Sequence, residues 1–203
     1  MMQIAIDGPS GSGKSTIAKE VAARLGLIYL DTGALYRAAG LAAQNLGADL
    51  DDEAAVLAIM DDFEFDPKEN SALRTAEAGL LASAVGRHPG VRAKIVKIIQ
   101  DLAAGQNIIM DGRDIGTVVL PDAPVKIFLT ASVEARATRR VHELNLLNQP
   151  ADFDDIAAQI KARDHQDTTR AASPLKMAED AQLLDCSEMD INQTVEAILE
   201  IIG

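Results

Sequence analysis

Short buried runs alternate along this chain with amphipathic stretches. Ile4-Ala5-Ile6 is apolar and partly β-branched, which reads as a buried strand; beyond it Ile17, Val21 and Leu25 recur every four residues, the spacing of one helix face. That helix spans about Ser15 to Arg24 and stops at Gly26, a residue suited to a helix C-terminus. Leu27-Ile28-Tyr29-Leu30 is a second short strand. A helix from Ala34 to about Leu46 follows, with Leu35, Ala38, Ala39, Ala42 and Leu46 as its inner face.

Residues 47–88 break this rhythm. Asp49 to Glu53 is an acidic helix start continued by Ala54 to Met60; Asp61 to Asn70 is turn-rich and acidic, with Pro67, and an Ala-rich helix spans about Ser71 to Val85. This segment reads as a helical insertion off the main sheet. Its acidic run is a solvated face, because it lacks the glycine and spaced carboxylates of a calcium loop. Pro89 restarts a helix with Val91, Ile95, Ile98 and Ile99 apolar and Arg92, Lys94 and Lys97 mostly off that face, ending near Gly105. Strands follow at Asn107–Met110, Val125–Leu129 and Gln182–Asp185. Ser132 caps a long helix, Leu146 to Pro150 breaks it, Phe153 opens the next, and Ile191 to Ile202 closes the chain as an amphipathic helix.

Strands alternating with helices predict an α/β fold, a three-layer α/β/α sandwich on a five-stranded parallel sheet. The expected division is a core of about 1–46 and 105–203, the insertion at about 47–88, and a lid at about 141–167. The lid is a helix–break–helix that is basic at both ends.

Composition narrows the partners. The 203 residues are 48% apolar, with no run near the roughly 18 apolar residues of a membrane span. A net charge of −12 weighs against a nucleic-acid polymer or an anionic membrane as main partner, since both call for positive fields. The single cysteine, Cys186, reads as a buried structural thiol, which fits a cytoplasmic protein, taken here as a monomer. His142 and His165 have no partner at metal-ligand spacing and read as surface residues. Arginines, by contrast, gather locally. Arg136, Arg139 and Arg140 fall together, and Arg37, Arg92, Arg113, Arg163 and Arg170 sit near predicted element ends, a pattern suited to small phosphorylated ligands.

The chemistry starts at Gly8-Pro9-Ser10-Gly11-Ser12-Gly13-Lys14-Ser15-Thr16, which matches G-x-x-x-x-G-K-[ST] between the first strand and first helix. Chance alone gives the fixed positions in on the order of one chain in a hundred of this length. Glycines let successive N–H groups converge on phosphate oxygens, and the helix start adds its dipole. Together these suit a polyphosphate: Lys14 is expected between its β- and γ-phosphates, and the Ser15 hydroxyl is the expected Mg²⁺ ligand. If the first two strands are parallel, Asp31, Thr32, Tyr36 and Arg37 face the same crevice; the alternative for Tyr36 and Arg37 is ordinary helix surface. Ser83 and Arg87 are candidates to reach a ligand from the insertion. Asp111-Gly112-Arg113-Asp114 follows a buried strand, where the alternatives are a ligand site and a turn with local ion pairs.

A phosphate loop alone fits a kinase, a GTPase, a motor or a regulator. The arginines favour phosphoryl transfer, which is carried by charge neutralisation and alignment. Arg136 and Arg140 lie on the lid side and Arg37, Arg92 and Arg113 on the acceptor side, so the acceptor is itself anionic. A phosphate monoester, with a second pKa of about 6, attacks as a dianion without a general base. Asp111 and Asp114 are therefore read as ligand-positioning residues or water-mediated metal contacts.

The segments Ile4 to Ser15, Leu30-Asp31-Thr32-Gly33-Ala34-Leu35-Tyr36-Arg37, Asp111 to Val119 and Pro174-Leu175 after Arg170 together resemble bacterial cytidylate kinases, in the right order over nearly the whole chain. The resemblance implies phosphorylation of CMP or dCMP by ATP with Mg²⁺, and an NMP-binding role for the insertion. It implies that Tyr36, Arg37 and Arg113, with Thr32 nearby, take the acceptor phosphate, and that Ser83, Arg92 and Asp114 read the cytosine edge. It further implies that Arg163 and Asp167 hold the ribose while Arg170 and the lid arginines contact phosphates during transfer. Two departures stand out: the insertion is shorter than in many bacterial members, and Gln166 stands where many relatives have arginine. A P-loop kinase for another small acceptor, such as another nucleoside monophosphate or dephospho-coenzyme A, and an ATP-holding regulator without turnover are the alternatives.

Overall fold

The computed structural model describes residues 1–61, 63, 73 and 75–203, which divide into two compact units, Met1–Tyr29 with Gln106–Gly203, and Leu30–Gly105. The second unit takes in more of the chain than the predicted 47–88 insertion.

In the first unit the strand β1 (Gln3–Asp7) is the middle of the sheet. Ile4, Ala5 and Ile6 are fully buried, and β1 pairs in parallel with β3 (Ile108–Gly112) on one side and β4 (Val125–Thr130) on the other. β5 (Gln182–Asp185) extends the sheet beyond β4, and β2 (Ile28–Asp31), where the chain passes between units, lies at the other edge. The order is β2-β3-β1-β4-β5, five parallel strands of an α/β fold. Helix α1 (Lys14–Leu25) buries Ile17 and Val21 against Ile4, Ile6, Ile109, Ile127 and Leu129, and α8 (Ile191–Ile202) adds Val195 and Ile198 to the same cluster. Gly26 ends α1 at φ 65°, its N–H closing on Ala22. Helices α6 (Val133–Leu146) and α7 (Phe153–Thr169) bury Ala137, Ile156 and Ile160 in a small cluster of their own.

The β3 ladder continues through Ile6↔Asp111 and Asp7↔Gly112, so the strand runs past its predicted end at Met110 and includes Asp111. After it comes a π-helical turn, Ile115–Val119, which the apolar spacing did not predict.

The second unit is helical: α2 (Thr32–Asn45), α3 (Glu53–Met60), α4 (Ala76–Val85) and α5 (Pro89–Ala103). Asp31 caps α2 by accepting from the Ala34 N–H at 3.0 Å, which starts the helix ahead of the predicted Ala34. Its buried face is Leu35, Ala39, Gly40 and Ala43, whereas Leu46, expected inside, is 71% exposed beyond the helix end. Asp52 and Thr75 cap α3 and α4 in the same way, so α4 begins later than the expected Ser71. The predicted turn at Asp61–Asn70 lies mostly outside the described residues, as do Ser71 and Ala72. Arg92, expected off the apolar face of α5, is buried with Val91, Ile95 and Ile99.

Gly40 lets α2 and α4 approach closely. A Cβ there would fall 2.7 Å from the Leu81 Cβ and 2.8 Å from its backbone carbon. Alanine favours a helix over glycine by about 1 kcal/mol, but overpacking against backbone costs about 1–3 kcal/mol. We expect Gly40→Ala to lower the urea midpoint; an unchanged or higher midpoint would show that α4 yields at no cost.

Candidate active site

The phosphate loop leaves β1 where its backbone runs against β4. A Cβ on Gly8 would lie 2.0 Å from the Leu129 carbonyl oxygen, so only glycine fits. The loop then turns its carbonyls backward onto fixed donors. The Pro9 carbonyl accepts from Lys14 Nζ at 2.6 Å and Ser12 Oγ at 3.1 Å, and the Ser10 carbonyl accepts from Arg136 Nη1 at 3.0 Å. The Ser12 carbonyl accepts from the Cys186 thiol at 3.4 Å. In a trans peptide the N–H points opposite its C=O, so these contacts turn the Ser10, Gly11 and Gly13 amides the other way. Gly13, left-handed at φ 91°, begins α1, and no side chain caps that end. The arrangement is a nest of N–H donors at a helix N-terminus, suited to phosphate oxygens.

Lys14 and Ser15 start the helix beneath this loop. Burial first, and the Arg113 charge next, push the Lys14 ammonium down to about 7; Asp111, Asp7 and Asp167 pull the other way. Ser15 Oγ donates to Asp111 Oδ2 at 2.8 Å, and the Tyr29 hydroxyl donates to Asp111 Oδ1 at 2.7 Å. A hydroxyl beside a buried carboxylate is an all-oxygen pair that fits a hard cation such as Mg²⁺, which takes few protein ligands and completes its shell with water and phosphate.

Beyond β3, Arg113 Nε donates to Asp167 Oδ2 at 2.7 Å, and Arg170 lies 3.6 Å from the other oxygen of the same carboxylate. Arg170 also holds the Ser173 carbonyl at 2.7 Å, and Asp114 is buried. Asp7, the last residue of β1, accepts from the Ile115 N–H at 2.8 Å and the Gly116 N–H at 2.7 Å. Burial pushes its carboxyl up to about 6, against the pull of those two N–H groups.

On the helical hairpin the lid-side arginines separate. Arg136 is buried, bidentate to Asp164 at 2.7 and 3.0 Å, and tied to the Ala131 carbonyl at 2.9 Å. Arg140 is exposed and pairs with Glu143 at 2.6 Å, one turn along the same helix. Arg139 bonds the Cys186 and Met189 carbonyls, and Arg163 is exposed on α7.

In the helical unit, Arg37 Nη2 donates to Asp31 Oδ2 at 2.7 Å, while its buried Nε has no hydrogen-bond partner among the described residues. Arg92 sits 5.1 Å over the Tyr36 ring and holds the Gly86 carbonyl at 3.3 Å. Thr32 is buried in the first turn of α2, and the Ser83 hydroxyl is turned back onto the Gly79 carbonyl at 3.1 Å.

The first unit thus brings Lys14, Ser15, Asp111, Arg113 and Asp167 together, and the second carries Thr32, Tyr36, Arg37, Ser83 and Arg92. Sequence reading missed Asp7, Tyr29 and Asp164. Asp7 had a signal, an acid ending a buried strand immediately before the loop; Asp164 had none, since its partner lies 28 positions away on another helix.

Comparison with known proteins places this geometry. The cytidylate kinase family model matches residues 4–203. A cytidylate kinase of Shouchella clausii is 44% identical, the alignment covering 98% of this chain and 95% of that one; one of Azorhizobium caulinodans is 46% identical over 99% and 98%. Among solved structures, a shikimate kinase from Bacteroides thetaiotaomicron (TM-score 0.55, 12% identity, 99% of this chain and 98% of that one) shares the fold. So does an uncharacterized protein from Eubacterium ventriosum (TM-score 0.59, 14% identity, 99% and 97%). Among the described residues, no helix is long and apolar enough to cross a membrane. With its phosphate loop, its paired Ser15 and Asp111 and a family match running from the first strand to the last residue, the chain belongs to the cytidylate kinase family.

Proposed function

We propose that this protein transfers the γ-phosphoryl group of ATP to CMP and dCMP, as a cytoplasmic monomer in pyrimidine nucleotide metabolism. The observation that carries the reading is the family match over residues 4–203 of a chain whose phosphate loop is complete. An oxygen of the acceptor phosphate attacks the γ-phosphorus, the bond to the β,γ-bridging oxygen breaks, and ADP leaves with that electron pair. The acceptor dianion needs no base. Ser15, with Asp111 beside it, would hold a Mg²⁺ that would supply positive charge to the triphosphate.

The Gly8–Thr16 loop holds the triphosphate, with Lys14 on the β- and γ-phosphates and Ser15 as metal ligand, Asp111 beside it. Tyr36, Arg37 and Arg113, with Thr32 near, take the acceptor phosphate; Ser83, Arg92 and Asp114 read cytosine; Arg163 and Asp167 hold the ribose. Arg136, Arg140 and Arg170 offset charge during transfer. Residues 47–88 act as the NMP-binding insertion and 141–167 as a lid that excludes water. The buried, unbonded Arg37 Nε supports the acceptor role, because an unsatisfied buried donor costs about 1–3 kcal/mol that a phosphate oxygen recovers.

A coupled assay for ADP across CMP, dCMP, UMP, AMP and dephospho-coenzyme A tests the reading. We expect CMP and dCMP to be preferred; preference for UMP or AMP sinks it, and ATP binding without acceptor-dependent turnover favours a regulator. Arg113→Ala is expected to lower kcat/KM for CMP about a hundredfold or more while the Kd for ATP stays within about threefold, the loss of a charged phosphate contact. Unchanged CMP kinetics would show the acceptor assignment to be wrong.

The depressed Lys14 gives a pH signature. Above pH 7 the free protein holds this amine largely neutral, and a polyphosphate beside it favours the ammonium. ATP binding at pH 8 should therefore take up part of one proton, read by calorimetry in two buffers of different ionisation enthalpy. Zero uptake at pH 8 would show Lys14 to be charged before the ligand arrives.

A further inference from the structure

We propose that Asp7 is a positioning residue for the acceptor, its carboxylate fixing Arg113 and Asp114 beside the phosphate loop by accepting the Ile115 and Gly116 N–H groups. This rests on the reading of Arg113 and Asp114 as acceptor residues.

Three observations carry it. First, Asp7 is the final residue of β1, paired in register with Gly112 of β3 and Phe128 of β4, and the next residue opens the phosphate loop. Its side chain is held by the most buried part of the sheet while its backbone is continuous with the donor site. Second, the bonds it accepts, at 2.8 and 2.7 Å, go to the first amides after Arg113-Asp114, where a π-helical turn begins. The Asp114 carbonyl accepts from the Val118 and Val119 amides at 2.9 and 3.1 Å, so this widened turn is anchored at Asp114 itself. π-turns are rare and concentrate at functional sites. Third, each oxygen serves a different N–H. A carboxylate offers two acceptors on one short stem, which an amide or hydroxyl does not, and that accounts for a buried charge where a neutral cap would cost less. Asp114 and Lys14 are the charged groups acting on it, the first raising and the second lowering its proton affinity. A Cβ on Gly116 would sit 3.4 Å from Asp7 Oδ2 and 3.2 Å from Lys126 Cδ, so the contact leaves little slack.

The arrangement predicts a split between substrates. Asp7→Asn keeps shape and volume but sets an NH₂ group against one of the two N–H donors, releasing one end of the turn. We expect the KM for CMP to rise about tenfold or more, the effect of one lost charge-assisted bond, with the Kd for ATP measured without acceptor changed less than about twofold. KM is a property of the folded fraction, so mere destabilisation lowers apparent kcat and leaves KM alone. An unchanged KM for CMP, or an equal weakening of ATP, overturns the proposal.

A second variant approaches from the other partner and covers the case in which Asp7→Asn fails to fold. Replacing Ile115 by its α-hydroxy acid deletes that N–H and leaves Asp7 intact, with the same substrate split expected and the same results against it. If the wild type prefers an acceptor other than CMP, the proposed function fails on its own, and the split is then read on the acceptor that is turned over.

Discussion

The site depends on β1 being the middle strand. Ile4, Ala5 and Ile6 are fully buried, and both edges of the strand are paired with parallel neighbours. Parallel strands end on the same side, so the carboxyl end of β1 delivers Asp7 and the phosphate loop beside the carboxyl end of β3, which delivers Asp111 and Arg113. Gly8 can leave the sheet only because nothing but hydrogen occupies the space before the Leu129 carbonyl. A rigid apolar strand is also what holds two costly groups in place, a buried carboxylate at Asp7 and a buried amine at Lys14.

The electrostatics follow a single pattern within both units. Arg113 faces Asp167, Arg136 faces Asp164 and Arg37 faces Asp31, so each of these arginines already has a carboxylate. Removing one partner of such a partly buried pair leaves an uncompensated charge, which makes the pairs costly to break and effective at fixing guanidinium orientation. A ligand that takes Arg37 or Arg113 must offer more than the carboxylate does, and a phosphate dianion does. Exposed pairs such as Arg87 with Asp51 or Lys97 with Asp101 add little by comparison.

Local signals in the sequence specified most elements. Gly26, Ser132, Pro89 and the Ile191–Ile202 stripe stand where the structure puts a helix end, a cap, a helix start and a closing helix. The phosphate loop was legible because its chemistry lies within nine consecutive residues. The spacing puts Arg92 off the apolar face because the Tyr36 ring that covers it comes from another helix, and it puts Leu46 inside because nothing in it marks that α2 ends at Asn45. The partners of Arg113 and Arg136 sit 54 and 28 positions away, distances at which residue spacing carries no information. Asp7 lay in plain view beside the loop, but only register shows that its carboxylate reaches the turn after Asp114.

The position of β1 in the chain has a consequence for biosynthesis. Its first contact with β3 joins residues 105 positions apart, so the strand made first waits for partners made much later. At about 5–20 residues per second, that wait is on the order of ten seconds. Meanwhile Leu30–Gly105 is continuous, and its last residue is made before β3 begins at Ile108. The nascent chain therefore completes the unit bearing Arg37 and Arg92 before it can close the sheet that holds the phosphate loop. The brevity of β1, five residues ending in an acid, limits how long an apolar edge is offered to other chains during that interval.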